Sequence, residues 1–209
     1  MEKSNTPELR FPGFEGEWNS KSFGKLVSYF STNSFSREQL NYIEGKVFNI
    51  HYGDIHTKFQ SAFEIKNELI PFINFDIDLS KINGEAYCRV GDMIFADASE
   101  DYNDIGKCIE IINIDNKSVL AGLHTIHARP RINVFSLGYP AYFFKSYSAR
   151  YQIMRESQGT KVLSISSKRL SSINITYPSL PEQQKIASFF TSIDKKIELL
   201  KKKHSLLEQ

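Results

Sequence analysis

The chain has 209 residues, with 26 Lys and Arg against 24 Asp and Glu, a formal charge of +2, and 13% aromatic residues. Aromatic content this high excludes a disordered chain, and the length allows one ordinary domain plus an appendage. Two cysteines, Cys88 and Cys108, exclude a disulfide framework and suit free thiols in a reducing cytoplasm, and no apolar run reaches the length of a membrane span.

From the N-terminus, Met1 to Asn5 has no apolar run of the kind a signal peptide carries. Residues 9–18, Leu-Arg-Phe-Pro-Gly-Phe-Glu-Gly-Glu-Trp, form a turn-rich arm whose Phe11, Phe14 and Trp18 are packing anchors. Phe23, Leu26, Val27 and Phe30 fall at helical spacing and predict a short helix, followed by a polar loop over 31–38. Val47 to Tyr52 alternates as a strand and stops at Gly53-Asp54, predicted as a tight turn. The pattern recurs at Tyr87 to Val90, where Gly91-Asp92 leads into Met93 to Ala96. Lys107 to Ile114, Ser118 to Ile126 and Ser171 to Tyr177 are further strands, and Tyr139 to Met154 turns helical. The whole is an α+β body, residues 1–178.

Residues 179–209 form a second unit. After Pro181 there is neither proline nor glycine, and Ile186, Phe190, Ile193, Ile197, Leu200, His204 and Leu207 step by 4, 3, 4, 3, 4, 3. That is a heptad seam with one polar member, which sets register. Pro181 and Glu182 suit a first helical turn. The predicted rod is about 40 Å long at 1.5 Å per residue. One narrow apolar stripe needs another helix against it, whereas Lys201-Lys202-Lys203 reads as a solvated face.

Charge is unevenly spread. Residues 64–115 hold four Lys and Arg against twelve Asp and Glu, whereas residues 121–170 hold eight against Glu156 alone. A cationic stretch of this density is a footprint for a polyanion such as double-stranded DNA, unless the fold folds acid onto base. The candidates for phosphate and base-edge contact are His124, His127, Arg129, Arg131, Lys145, Tyr147, Arg150, Arg155, Gln158, Thr160, Lys161 and Lys168. Pro130 stiffens the loop presenting the two arginines, and Gln158-Gly159-Thr160 offers amide and hydroxyl groups around a flexible centre. His56 and Lys58 follow as secondary candidates.

Catalytic signatures are sparse. No phosphate-binding glycine loop, dinucleotide fingerprint or Gly-x-Ser-x-Gly elbow is present. His124-x-x-His127 falls short of the ligands a zinc site needs. The acidic run Asp97, Glu100, Asp101, Asp104 does not match a calcium loop. Asp54 with Glu64 and Lys66 has the composition of a magnesium nuclease, but at a loose spacing that occurs by chance. No cofactor or metal is expected. The alternatives to a DNA reader are that nuclease, or a scaffold that binds protein alone.

Several separated pieces together resemble a known family. They are residues 9–18, Tyr-Gly-Asp-Ile-His at 52–56, Val-Gly-Asp-Met-Ile-Phe-Ala-Asp-Ala-Ser at 90–99, Ala-Gly-Leu-His-Thr at 121–125 with Arg129-Pro130, Gly159-Thr160-Lys161 with Ile165-Ser166, and Pro-Ser-Leu-Pro-Glu-Gln-Gln-Lys-Ile-Ala at 178–187 with Ile193-Asp194. The chain resembles the DNA-specificity subunit of type I restriction-modification systems. The resemblance implies a non-catalytic target-recognition domain followed by a conserved spacer helix, reading one half of a split site. It also implies modification (methyltransferase) and restriction subunits as partners, and pairing of the helix with a second recognition half or a second copy. On this view the chain is a half-length or truncated form.

Overall fold

The alternating run at Val47 forms a strand because Val47, Asn49 and Ile50 are buried while Phe48 lies half out. The computed structural model describes residues 6–207; Met1 to Asn5 and the last two positions of the expected rod, Glu208 and Gln209, lie outside the described residues. In chain order the strands and helices are β1 (Asn19–Ser22), β2 (Val27–Phe30), β3 (Leu40–Asn41), β4 (Val47–Ile50), α1 (Tyr52–Thr57), β5 (Ala62–Glu64), β6 (Phe72–Ile73), β7 (Met93–Ala96), β8 (Ala98–Ser99), β9 (Cys108–Asn113), β10 (Ser118–Ala121), β11 (Thr125–Pro130), α2 (Tyr139–Phe143), α3 (Tyr147–Glu156), β12 (Leu163–Ser164), α4 (Ser167–Ser172), β13 (Asn174–Tyr177) and α5 (Leu180–Leu207). This is an α+β head carrying a long terminal helix.

A five-stranded sheet runs β2-β11-β7-β9-β5, antiparallel except for β5 beside β9. A four-stranded sheet runs β10-β4-β6-β3, with β10 parallel to β4. Two ribbons, β1-β13 and β12-β8, close the ends. The larger sheet has a core on each face. Met93, Phe95 and Cys108 join Phe23, Phe144 and Ile153 of the flanking helical segments on one side, while Ile94, Ile109 and Ile111 join Ile55 and Phe63 on the other. Strands covered on both faces read as continuous apolar runs, which explains Met-Ile-Phe-Ala at 93–96.

Several expectations need correction. The run 118–126 is not one strand but β10 and β11, which lie in different sheets; Tyr87 to Val90 makes only an isolated bridge from Tyr87 to Leu120; and Ser171 and Ser172 end α4, so the last strand starts at Asn174. Phe23 to Phe30 is not a helix: a 3-10 turn at Phe23–Lys25 delivers Val27 into β2, paired to β11. The helical spacing arises because the turn and the strand entry bury Phe23, Leu26 and Val27 in the same core. Gly53-Asp54 is not a tight turn but the first turn of α1, capped by His51, whose Nδ1 accepts from the Gly53 N–H at 3.1 Å. Gly91, by contrast, does make a turn, at φ +89°.

α5 contains Pro181 and Glu182 in its first turn. Glu182 is 1% exposed and accepts from Arg10 through both oxygens, at 2.8 and 2.7 Å. Gln183 is also buried; its Nε2 donates to the Val134 and Pro178 carbonyls and its Oε1 accepts from the Ser136 N–H. Ala187 enters the core, and Ile186 packs against it. Tyr142 of α2 stacks on Phe190 and donates to Asp194, with the Thr191 hydroxyl 3.2 Å from the same phenol oxygen. Beyond Asp194 the helix leaves the head, and every side chain from 195 to 207 is exposed. The expected seam is therefore split: Ile186 and Phe190 meet the chain's own body, Ile193 is exposed at the boundary, and Ile197, Leu200 and Leu207 face outward with His204 among them. Lys202 of the lysine run pairs with Glu198 one turn back.

Candidate nucleic-acid interface

Residues 97–107, β8 and the loop that follows it, are flanked by elements that carry several of the sequence-selected residues. Three structures abut this segment. From α1, His56 Nε2 lies 2.9 Å from the Ala98 carbonyl oxygen, and Lys107 Nζ donates to the His56 carbonyl. From α3, Arg150 Nη2 donates to the carbonyls of Asn103 and Ile105 at 2.9 and 2.6 Å, and Tyr102 donates to the Met154 carbonyl. From β12, Ser164 and Leu163 pair with Ala98 and Ser99, and just beyond it the Ile165 N–H donates to the Asp97 backbone carbonyl.

β12 also shapes the hairpin carrying Gln158, Thr160 and Lys161. The Gln158 and Ser164 backbones exchange hydrogen bonds at 2.9 and 2.7 Å, and Gly159 sits at φ +125°, where a Cβ would lie 2.0 Å from the Val162 carbonyl oxygen. Only glycine satisfies this closure. The tip of the hairpin is exposed. On α3, Tyr147 is 80% exposed and stacks with Tyr151 one turn on, and the Arg155 guanidinium lies over Tyr151. The spacing of four that puts these three on one face is that of a helix.

His124 joins the same region from the start of β11. It adopts φ +53°, and its Nδ1 lies 3.2 Å from Asp97. Burial raises the Asp97 pKa above its ordinary value. The rings of His51, His56 and His124 all surround Tyr52. His51 is pushed down to about 4, by burial first and then by the Arg37 charge, so it stays neutral.

Between α1 and α3 lies a cleft of about 450 Å³. Lys58, Lys107, Lys145 and Arg150 line it, and no carboxylate does. Ile55, Phe59 and Phe144 supply apolar wall. Four of the sequence candidates, His56, Lys58, Lys145 and Arg150, thus share one concavity although about ninety positions separate the two pairs in the chain. Lys107 was not among the candidates, nor were Tyr102 and Tyr151; nothing in their local sequence marks them, since their position depends on the course of the acidic loop.

Other candidates are placed elsewhere. His127 is fully buried, its Nε2 2.6 Å from Asp92. Arg129 binds the same carboxylate through Nε and Nη2, reaches Glu85 and lies over Phe30. Burial pushes the Asp92 carboxyl up, but hydrogen bonds from His127 and Arg129 outweigh it and hold it below the usual carboxylate range. Here acid does fold onto base, and these two side chains serve the interior of the head. Arg131 is exposed beyond the far end of β11, roughly 23 Å from His124 at about 3.3 Å per residue. Lys168 is exposed on α4.

The arrangement for a nuclease does not form. Asp54 is buried and occupied by Arg37 through two bonds and by Lys58, which overcome the effect of burial and lower its pKa. Glu64 pairs with Lys66 on the surface. The two cysteines are buried free thiols. His124 and His127 diverge to Asp97 and Asp92, and among the described residues no three His, Cys, Asp or Glu side chains gather as a metal site requires. Among those residues, too, no helix is long and apolar enough to cross a membrane.

Comparisons with known proteins agree with this architecture. No curated protein matches the chain significantly. Among solved structures, the type I restriction-modification S subunit from M. genitalium superposes with a TM-score of 0.59 at 15% identity, covering 94% of this chain and 44% of that one. The HsdS subunit from Thermoanaerobacter tengcongensis gives 0.53 at 16% identity, covering 95% and 42%. A chain from a structure describing complex assembly and conformational transition of the type I R-M system gives 0.55 at 18% identity, covering 91% and 42%. The chain thus spans under half the length of these structures and shares their fold. The model of the type I restriction modification DNA specificity domain matches residues 44–209, most of the chain, and the chain belongs to that family.

Proposed function

We propose that this chain is a non-catalytic DNA-recognition module that reads one half of a split target, with α5 as its spacer. The observation that carries the reading is the convergence along residues 97–107: α1, α3 and the 158–164 hairpin, which carry His56, Lys145, Tyr147, Arg150, Gln158 and Lys161, all flank this one segment. Cations there hold the backbone, while Gln158 and Thr160, at an exposed tip, have the groups that pair with base edges in a major groove. The exposed half of α5, with Ile197, Leu200 and Leu207 outward, suits pairing with a second helix from another recognition half or a second copy. Methyltransferase and restriction subunits are the partners this family implies, and the setting is cytoplasmic.

The test is selection from a random duplex library with the purified chain, followed by anisotropy across salt concentrations. Enrichment of one short motif with steep salt dependence is expected. In the intact system, exchanging residues 1–178 for those of another member should replace one half of the methylated motif. A chain that enriches no sequence, or an exchange that leaves the motif unchanged, overturns the reading.

A further inference from the structure

The cleft between α1 and α3 has a charge pattern that solvation alone does not explain. Its four cations come from three separate places: Lys58 after α1, Lys107 before β9, and Lys145 with Arg150 around the start of α3. Two have acidic partners, Lys58 with Asp54 and Lys107 with Asp104. Lys145 and Arg150 have no carboxylate within ion-pair distance among the described residues; Lys145 Nζ sits over the Tyr142 ring, and Arg150 donates only to backbone carbonyls. A further guanidinium nitrogen of Arg150, Nη1, is buried without a hydrogen-bond partner among the described residues. Burial accordingly lowers the Arg150 pKa, because its charge is stripped of water without a counter-charge in contact. Leaving a cation in that state costs free energy that a neighbouring anion offsets.

We infer that this cleft binds a phosphate group, seated between Lys145, Lys107 and Arg150. Gln60, Ser61 and Asn103, also on its walls, add neutral hydrogen-bonding groups. The volume exceeds one phosphate, so the attached sugar has room along the apolar wall of Ile55, Phe59 and Phe144. Asn103 and Lys107 belong to the same loop that the reading surfaces flank, so a phosphate held here is the backbone neighbour of the base pairs being read. This inference rests on the DNA reading proposed above. A free nucleotide has the same phosphate chemistry, and the experiment separates the two sources.

The full chain is titrated with duplex DNA over a range of salt concentrations, as wild type, Lys145→Ala and Lys117→Ala. Lys145 and Lys117 are both exposed, and Lys117 lies in the turn beyond the opposite end of β9. Lys145→Ala should weaken specific and non-specific duplexes equally and lower the salt slope by about 0.9, while Lys117→Ala changes neither. Scanning methylphosphonates through the duplex should reveal one position whose neutralisation weakens wild type but not Lys145→Ala. In parallel, AMP and inorganic phosphate are titrated while the amide resonances of Gln60, Ser61 and Asn103 are followed. Saturating shifts lost in Lys145→Ala support the phosphate site, and tight AMP binding with no methylphosphonate effect assigns it to a free nucleotide. If duplex binds but Lys145→Ala behaves as Lys117→Ala, and neither small anion shifts those resonances, the phosphate site is overturned and the DNA reading stands. If no duplex binds even at low salt, the DNA reading falls, and the small-anion arm alone decides the cleft.

Discussion

The two halves of α5 carry one continuous apolar stripe but have opposite environments. Up to Asp194 the helix is part of the head: Glu182 and Gln183 are buried, Ala187 lies in the core and Tyr142 grips Phe190, Thr191 and Asp194. From Lys195 onward the same periodicity presents Ile197, Leu200 and Leu207 to solvent, the last at 77% exposure. Periodicity specifies a face, not its occupant. What decides occupancy in the first half is polar: two buried side chains with several hydrogen bonds fix helix direction and register where apolar packing alone would let it slide.

The largest effect that tests this contrast is expected at Glu182. Glu182→Ala leaves Arg10, itself mostly covered, without its carboxylate, and should cost about 3–5 kcal/mol in chemical denaturation. A loss below about 1 kcal/mol would mean that the first half is held by apolar contact alone.

The next effect runs through Glu110. It is buried under α2, where its oxygens accept from the Gly138 and Ala141 N–H groups at 2.8 and 2.9 Å, and α2 carries Tyr142 to α5. Burial pushes its pKa from 4.5 up to about 7, so between those values the folded chain holds a proton that the unfolded chain has released. The contribution to stability is complete below pH 4.5 and is lost as the pH rises to about 7, by up to about 3 kcal/mol. Denaturation of Glu110→Gln across that window should lack this decline.

Tyr142→Phe removes the hydroxyl that reaches Asp194 but keeps the ring on Phe190, and should cost about 1 kcal/mol. Ile197→Asp should shift the unfolding free energy of the dilute chain by under about 0.5 kcal/mol, since the residue touches no core. The same change should abolish concentration-dependent association in sedimentation, if the outward stripe is where a second helix lies. A large loss of stability from Ile197→Asp at low concentration would erase the distinction between the halves.

Local periodicity was enough to find α5, β9 and the alternating β4, because each repeats its pattern over at least one full turn or several pleats. It failed at Tyr52–Thr57, where a glycine looked like punctuation yet lies within a short helix set by the His51 cap. The family resemblance was legible from motifs spread along the chain, and the convergence of residues 56–58 with 145–150 was not, because it depends on how α1 and α3 flank loop 100–107. Charge density was the weakest guide. The cationic stretch ignores facing, and β11 is covered on both sides, so His127 and Arg129 turn toward Asp92 while Lys145 and Lys161 remain outside. Glu182 is the clearest case: its position favoured a helix-dipole role, and its partner lies 172 positions away.

That separation has a consequence for biosynthesis. β1 is completed by β13, and the arm bearing Arg10 docks on the first turn of α5. A ribosome adding about 5–20 residues per second delivers Glu182 roughly 10–30 s after Arg10. For that interval the nascent arm, whose Phe11 packs edge-on against Phe189, lacks the helix it docks on, so its aromatic side chains stay undocked until α5 has been made.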